Sequence, residues 1–396
     1  YKKLLKIILF VKNNKKSILF ITPFQPLNNS GDSFITWGII KGLSKINSSV
    51  EVISFKENKK TKLKTKIKNT SYFSKPWKYP SFSLFKKLLL FFSISPFFVN
   101  KFFDHEFLEK IKNKTKNKDF DQIIIYGYAM AKYGSFLNHK KMIYLEDEDM
   151  GKIFKARFIS EKRAIPKIFL LTEYVKSLFY QRLYFRKFKK FWILNNKNKN
   201  SYFSKNSKKI KIPLLVQSEK ICFSNKSKDI VFTGTFNWDE NKQGLIWFLK
   251  DIWPDVLKKN KKSIFHIVGK NNDSDIKRVV EESENVISHG FVDDLEDVYK
   301  KSALAVSPIW VNAGIKIKIL NYLQYGLPVV ASKISTEALF SLDGIVVARK
   351  EYFAKKINSL LVDNKKRRLI ARKAHENIKK NYSIKNLASF LNQELW

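Results

Sequence analysis

Short apolar runs alternate along this chain with longer stretches in which apolar positions recur every three or four residues, the arrangement of parallel strands covered by helices. SILFIT (17–22), EVISF (51–55), QIIIYG (122–127), MIYL (142–145) and FWIL (191–194) each predict a strand. They are short, β-branched or aromatic, and bounded by polar residues, as strands buried on both faces are. After the first of them a Pro/Asn/Gly loop leads into a helix expected over Phe34 to Ser44. A second series begins past Pro213 with DIVFTG (229–234), SIFHIVG (263–269), VISHG (286–290), LAVSP (304–308), PVVAS (328–332) and GIVVA (344–348). Between its first two strands, Leu245, Ile246, Phe248, Leu249, Ile252 and Trp253 mark one face of a helix over Gln243 to Lys258. The expectation is an α/β chain of two Rossmann-like halves, 1–212 and 213–378, with 379–396 a helix returning toward the first half. The Lys- and Asn-rich stretch from Asn195 to Lys211 reads as the linker region, and no internal repeat is present.

Composition narrows the class. At about 150 residues per domain, 396 residues make two domains, and 44% apolar with 15% aromatic content excludes a disordered basic tail. Cys222 is alone, so no internal disulfide forms and a cytoplasmic setting is expected. His105, His139, His266, His289 and His375 are scattered, which argues against a zinc cluster. The net charge is +41, with 67 Lys against 9 Arg, a ratio that an AT-rich coding sequence produces by itself. Its distribution is uneven. Residues 1–216 hold 46 basic and 14 acidic residues, while 217–396 hold 30 and 21. No stretch reaches the ~20 apolar residues of a spanning helix, and no small-residue cleavage site follows the opening YKKLLKIILF. Between Lys75 and Lys118, however, lysines interleave with aromatics around an uncharged stretch of 13 residues, Leu88 to Asn100. It reads either as an interfacial segment meeting anionic lipid, placing the protein peripherally at the inner face of the membrane, or as a buried helix with its lysines outward.

In open α/β sheets ligands bind beyond the carboxyl ends of the strands, so the loops there are the candidates. PFQPLNNSGDS, after the first strand, offers Asn28, Asn29, Gly31 and Asp32 ahead of a helix whose free N–H groups suit an anion. TGTFNWDENKQGL offers a glycine turn at Gly234 and a cation at Lys242. PIWVNAGIKIKILNYLQYGLPVVAS combines the small-residue turn Asn312, Ala313, Gly314 with Lys316 and Lys318 and a helix over Ile319 to Tyr325 stopped by Gly326. Small residues, a helix N-terminus and two lysines make a diphosphate cradle; a basic helix packed on a sheet also fits the spacing but does not require the glycine turn. Neither G-x-G-x-x-G nor a G-x-x-x-x-G-K loop occurs. Asp147 and Asp149 in LEDEDM form a D-x-D at a strand end. Such a pair holds a divalent metal in folds with a single nucleotide-binding half; with two halves here no metal is expected, and a solvated helix start favoured by its dipole is the other reading.

From Ile230 onward the order VFTGTFNWDENKQGLIWFLKDIWP, FHIVGK, VISHGFVDDLEDVYKKSALAVSP, NAGIKIKILNYLQYGLPVVAS and NYSIKNLASFLNQ resembles the C-terminal half of family 4 retaining glycosyltransferases. The front loop is similar to that family's N-terminal loop, with one glycine where two are usual. The resemblance implies the GT-B fold, two Rossmann-like domains facing each other across a cleft, and transfer of a sugar with retention from a nucleotide-sugar donor to a glycan or lipid-linked acceptor in cell-surface polysaccharide or glycoconjugate synthesis. By position, Gly234, Thr235 and Lys242 would lie near the donor diphosphate, and Val268 and Gly269 beside the base. Gly290, Phe291 and Val292 would meet the base through backbone, while Asn312, Gly314, Ile315 and Lys316 would offer amides and charge to the phosphates, with Lys318 supporting that loop. Two glutamates eight positions apart are common in the family; Ala313 and Asn321 stand in their places, and Asn321 can still hydrogen-bond a ribose hydroxyl. Asn29, Gly31 and Asp32 fall to the acceptor side, where Asp147 and Asp149 are the acidic candidates. The implied chemistry is front-face departure of the diphosphate, stabilised by Lys242, Lys316 and the amides around Gly314, with no cofactor beyond the nucleotide sugar. A nucleotide-sugar epimerase of the same fold and a basic nucleic-acid-binding protein are the competing classes. The second has only the net charge behind it, since arginine is scarce and no nucleic-acid-binding motif is present.

Overall fold

The computed structural model describes residues 15–26, 31–56, 67–76, 83–146, 149–194, 208–216, 224–236, 238–270, 273–292, 294–310 and 315–396. The chain divides into two compact units, 1–215 together with Leu387–Trp396, and Val216–Asn386.

The first unit is built on a parallel sheet of seven strands in the order β3-β2-β1-β4-β5-β6-β7. These are β1 (Lys16–Thr22), β2 (Ser48–Lys56), β3 (Thr70–Pro76), β4 (Gln122–Tyr126), β5 (Met142–Glu146), β6 (Lys190–Ile193) and β7 (Lys208–Lys211). Five of them correspond to the apolar runs of the sequence. β3 and β7 do not: TSYFSKP and KKIK are half-exposed strands at the two edges, and a strand with one wet side needs no continuous apolar run. The end of the Asn195–Lys211 stretch, expected as linker, is therefore a seventh strand, with Trp192 paired to Ile210. Leu88 to Asn100 is likewise not one segment. A helix over Leu84–Phe91 ends, and Pro96 caps a separate short helix over Phe97–Lys101 that buries Val99. The Ile384–Leu395 helix packs its Leu387 and Leu391 on the Gly31–Leu43 helix so closely that a Cβ at Gly42 would stand 2.8 Å from both.

The second unit carries six parallel strands in the order β10-β9-β8-β11-β12-β13. They are β8 (Asp229–Thr233), β9 (Phe265–Val268), β10 (Val286–Ser288), β11 (Ser302–Ser307), β12 (Val329–Ala331) and β13 (Ile345–Val347). The helix expected from Gln243 begins earlier, at Asp239, and runs to Trp247; a wide π turn, Phe248–Ile252, then leads into Trp253–Lys259. Pro254 explains the turn, because it lacks the N–H that would bond to Lys250 and its ring crowds that carbonyl. In both sheets the first strand sits between a neighbour that follows it and one reached by a crossover, β1 between β2 and β4 and β8 between β9 and β11. This is the topological switch point, where open α/β sheets bind ligands beyond the strand ends.

Candidate functional site

At the switch point of the second unit, three loops are joined by backbone hydrogen bonds that prolong the ladder. Gly234 N–H donates to the Val268 carbonyl (2.9 Å), Gly269 N–H to the Gly290 carbonyl (2.7 Å) and Phe236 N–H to the Lys270 carbonyl (3.1 Å). Gly269 has φ of +142°, and a Cβ there would fall 1.7 Å from the Gly234 oxygen. Only glycine fits. Gly290 also has positive φ (+66°), but its missing Cβ would point into open space.

Lys318, in the first turn of the Ile317–Gln324 helix, reaches over the Phe232 ring (4.4 Å) and donates to Asn241 Oδ1 (2.6 Å). Asn241 in turn donates through Nδ2 to the Thr235 carbonyl (2.9 Å), tying the Asp239–Trp247 helix to the turn. A Cβ at Gly234 would stand 2.9 Å from Lys318 Nζ, so the glycine is what lets the ammonium lie against the backbone of the turn. Desolvation, reinforced by the nearby Lys316 charge and opposed by Glu240, holds the Lys318 pKa well below its ordinary value. A cation in that state gains from any anion that joins it. The floor of the site is fixed by Tyr322, whose buried hydroxyl accepts from Thr233 N–H (2.7 Å) and lies 3.0 Å from Thr233 Oγ1. Burial pushes its phenol pKa up, so it stays protonated.

Lys316 is the half-buried N-cap residue of the Ile317–Gln324 helix, with Ile315 just ahead of it and Asn321, half-buried, one turn on. Gly326 (φ +71°) ends that helix as expected, with Leu327 N–H reaching the Tyr322 carbonyl (3.0 Å). Lys242 is engaged elsewhere: its Nζ lies 2.7 Å from Asp273 Oδ2 and 2.8 Å from Asp275 Oδ2, a pairing that raises its pKa. Thr235 and Phe291 are exposed, Val268 is buried in the β9 end, and Lys270 Nζ lies 5.5 Å from the Phe291 ring centre. Val292 is half-buried beside Phe291. Asn312 and Gly314 lie outside the described residues.

In the first unit, Gly31 is the exposed first residue of its helix, and Asp32 follows within it, while Asn29 lies outside the described residues. Asp149 is buried and caps the Met150–Ser160 helix, accepting from Lys152 N–H (3.3 Å) and from Gln181 Nε2 (3.3 Å). Asp149 therefore starts a helix, as the dipole-favoured reading expects, but it is buried rather than solvated; Asp147 lies outside the described residues. Among the described residues, no group of three or more His, Cys, Asp or Glu side chains is placed to hold a metal ion.

Asn241 and Tyr322 are parts of the site that the sequence reading did not single out. A helix residue seven positions after the turn glycine and a tyrosine four after Lys318 carry no motif by themselves.

Residues 227–363 match the family described as Glycosyl transferases group 1. A Klebsiella pneumoniae protein described as an uncharacterized 44.6 kDa protein in the cps region is 27% identical over 306 residues, 70% of this chain and 75% of its own. Among solved structures, sucrose-phosphate synthase from Thermosynechococcus elongatus superposes with a TM-score of 0.71 at 14% identity, over 96% of this chain and 98% of that one. HepE of Anabaena, solved in complex with UDP-glucose, superposes with a TM-score of 0.64 at 14% identity, over 96% and 99%. The fold is GT-B.

Proposed function

We propose, from the premise of a GT-B chain whose residues 227–363 match group 1 glycosyl transferases, that this protein is a glycosyltransferase. It moves a sugar from a nucleotide-sugar donor, held by the second unit, to a glycan or lipid-linked acceptor held by the first, with retention of configuration. The observation that carries the reading is the convergence of the Gly234 turn, the adjoining Gly269 where only glycine fits, and the desolvated ammonium of Lys318 at the switch point of the second sheet. A diphosphate laid on that turn finds no side chain at Gly234 or Gly269 to hold it off and a cation that water solvates poorly. Relatives support the donor and the setting. The HepE structure holds UDP-glucose, and the Klebsiella protein is described by its place in a cps region, which favours polysaccharide synthesis.

Chemically, the leaving diphosphate develops charge as the sugar–oxygen bond breaks, and Lys318 with Lys316 stabilises it at closer range than bulk water does. Lys242 joins them only by exchanging Asp273 and Asp275 for the phosphates. Asn321 offers its amide to a ribose hydroxyl from the same helix as Lys318. With lysines supplying the positive charge, turnover is expected to be unaffected by EDTA.

Incubation with a panel of nucleotide sugars, read by mass spectrometry, tests the reading. Slow release of nucleoside diphosphate and free sugar from one donor supports it. An epimerised donor would move the protein to the epimerase class, and no turnover or binding of any donor would overturn both. Once an acceptor is found, the anomeric proton coupling of the product decides retention.

A further inference from the structure

The Ala164–Tyr184 helix is turned inside out relative to ordinary amphipathic helices. Its buried side chains are Glu173, Lys176, Ser177, Tyr180 and Gln181. Each of the larger ones is held by polar partners. Lys176 Nζ bonds to Glu173 Oε1 (3.1 Å) and to the Leu90 carbonyl (3.1 Å), Glu173 Oε2 accepts from Phe97 N–H (2.7 Å), and the Tyr180 hydroxyl donates to the Tyr128 carbonyl (3.0 Å). The outward side carries Ile165, Ile168, Leu171, Val175, Leu178 and Phe179 at three- and four-residue spacing, with Ile165 83% and Phe179 62% exposed. A helix whose apolar side faces away from its own core is covered by something else.

The patch extends beyond this helix. Lys176 joins it to the end of the Leu84–Phe91 helix, and the Phe97 ring lies 6.4 Å from that of Phe169. That neighbouring segment exposes Phe85, Leu89, Phe92 and Ile94, with Phe92 77% exposed. Charge identifies the occupant. Residues 151–190 contain twelve Lys and Arg against two Glu, and Glu173 is buried against Lys176. Exposed Lys162, Arg182, Arg186 and Lys187 flank the apolar side, while Arg163 is paired with Glu161. A second copy meeting this face would bring two such positive segments together, whereas an anionic bilayer supplies both an apolar interior and a negative surface. No described helix is long and apolar enough to cross a membrane, so the contact is one of lying on it.

We propose that the outward side of the Ala164–Tyr184 helix, with the exposed apolar residues around Leu84–Phe91, is a docking face for an anionic phospholipid bilayer. The proposal places the contact chiefly on a helix other than the Lys75–Lys118 segment that the sequence suggested, and it does not depend on the transfer reaction.

Co-sedimentation of the full chain with vesicles tests it without any activity assay. Vesicles of phosphatidylcholine with about 30% phosphatidylglycerol are expected to pull the protein down, and phosphatidylcholine alone, or the anionic vesicles in high salt, at least about tenfold less. The double variant Ile168→Ser with Phe179→Ser is expected to lose binding by at least about tenfold while keeping its circular dichroism and unfolding temperature, since both residues are exposed. Val362→Ser with Leu369→Ser, equally exposed in the second unit, should bind as the unaltered protein does. The proposal is overturned if the unaltered chain ignores anionic vesicles, or if the Ile168/Phe179 variant binds them undiminished. It is also overturned if ultracentrifugation shows a dimer that this variant dissociates while vesicle binding is absent, which would make the face a contact between copies.

Discussion

Lys318 and Gly269 carry opposite kinds of constraint. The lysine is held by the fold in a state that costs stability, because its ammonium is desolvated beside Lys316. In wild type the folded chain therefore gives up this proton more readily than the unfolded chain, whose lysine titrates near 10.5. Stability rises with pH between the lowered value and 10.5, as the folded form escapes the cost first. Lys318→Met is expected to remove that slope and to stabilise the second unit by about 1 kcal/mol at neutral pH. The same change should weaken nucleoside diphosphate binding by about a hundredfold, a loss of about 2.7 kcal/mol, measured by calorimetry. A residue serving only packing would lose stability instead. Gly269→Ala predicts the reverse pattern. With the new Cβ 1.7 Å from the Gly234 oxygen, the loops separate, and unfolding of the second unit should come at least about 3 kcal/mol earlier in a denaturant titration. The glycine turns and lysines of this site were readable in the sequence because their chemistry depends on residue type. Asn241 was not, because its role comes from the Asp239–Trp247 helix bringing it between Thr235 and Lys318, and nothing in a linear order announces that meeting. The double pairing of Lys242 escaped for the same reason, since Asp273 and Asp275 lie more than a strand away.

Among the elements, the strands buried on both faces were the most legible, and β3 and β7 the least. A central strand must be apolar throughout, so QIIIY and DIVFT announce themselves, whereas edge strands are chosen by their pairing and tolerate lysine. Helices with an ordinary inward apolar side followed the periodic pattern. The Ala164–Tyr184 helix shows where that reasoning inverts: its apolar spacing is regular, but the side it marks is the outer one. Stability should reflect this inversion. Ile168→Asp is expected to change the unfolding free energy by less than about 0.5 kcal/mol, while Tyr180→Phe, which leaves the Tyr128 carbonyl and Lys132 N–H short of a partner, should cost about 1–2 kcal/mol. Thermal unfolding of the two variants compares them directly. An apolar pattern read by the usual rule predicts the opposite order.

For the molecule as a whole, two units with separate cores make unfolding by a single transition unexpected. Differential scanning calorimetry should resolve two components, and the nucleoside diphosphate of whichever donor the panel identifies, at about 100 times its dissociation constant, should raise only one of them, by about 2.7 kcal/mol in unfolding free energy. That component belongs to residues 216–386 if the donor reading holds. The uneven charge, 46 basic and 14 acidic residues in 1–216, was legible from composition, although what it surrounds was not. Some of this charge has a second effect at the border of the first sheet. β7 is the last strand of the described sheet and consists of Lys208, Lys209, Ile210 and Lys211. Another extended chain seeking to add itself to that border would have to lay its backbone beside three ammonium groups. The same lysine abundance that hides this strand from prediction is thus expected to disfavour edge-to-edge pairing between copies of the chain.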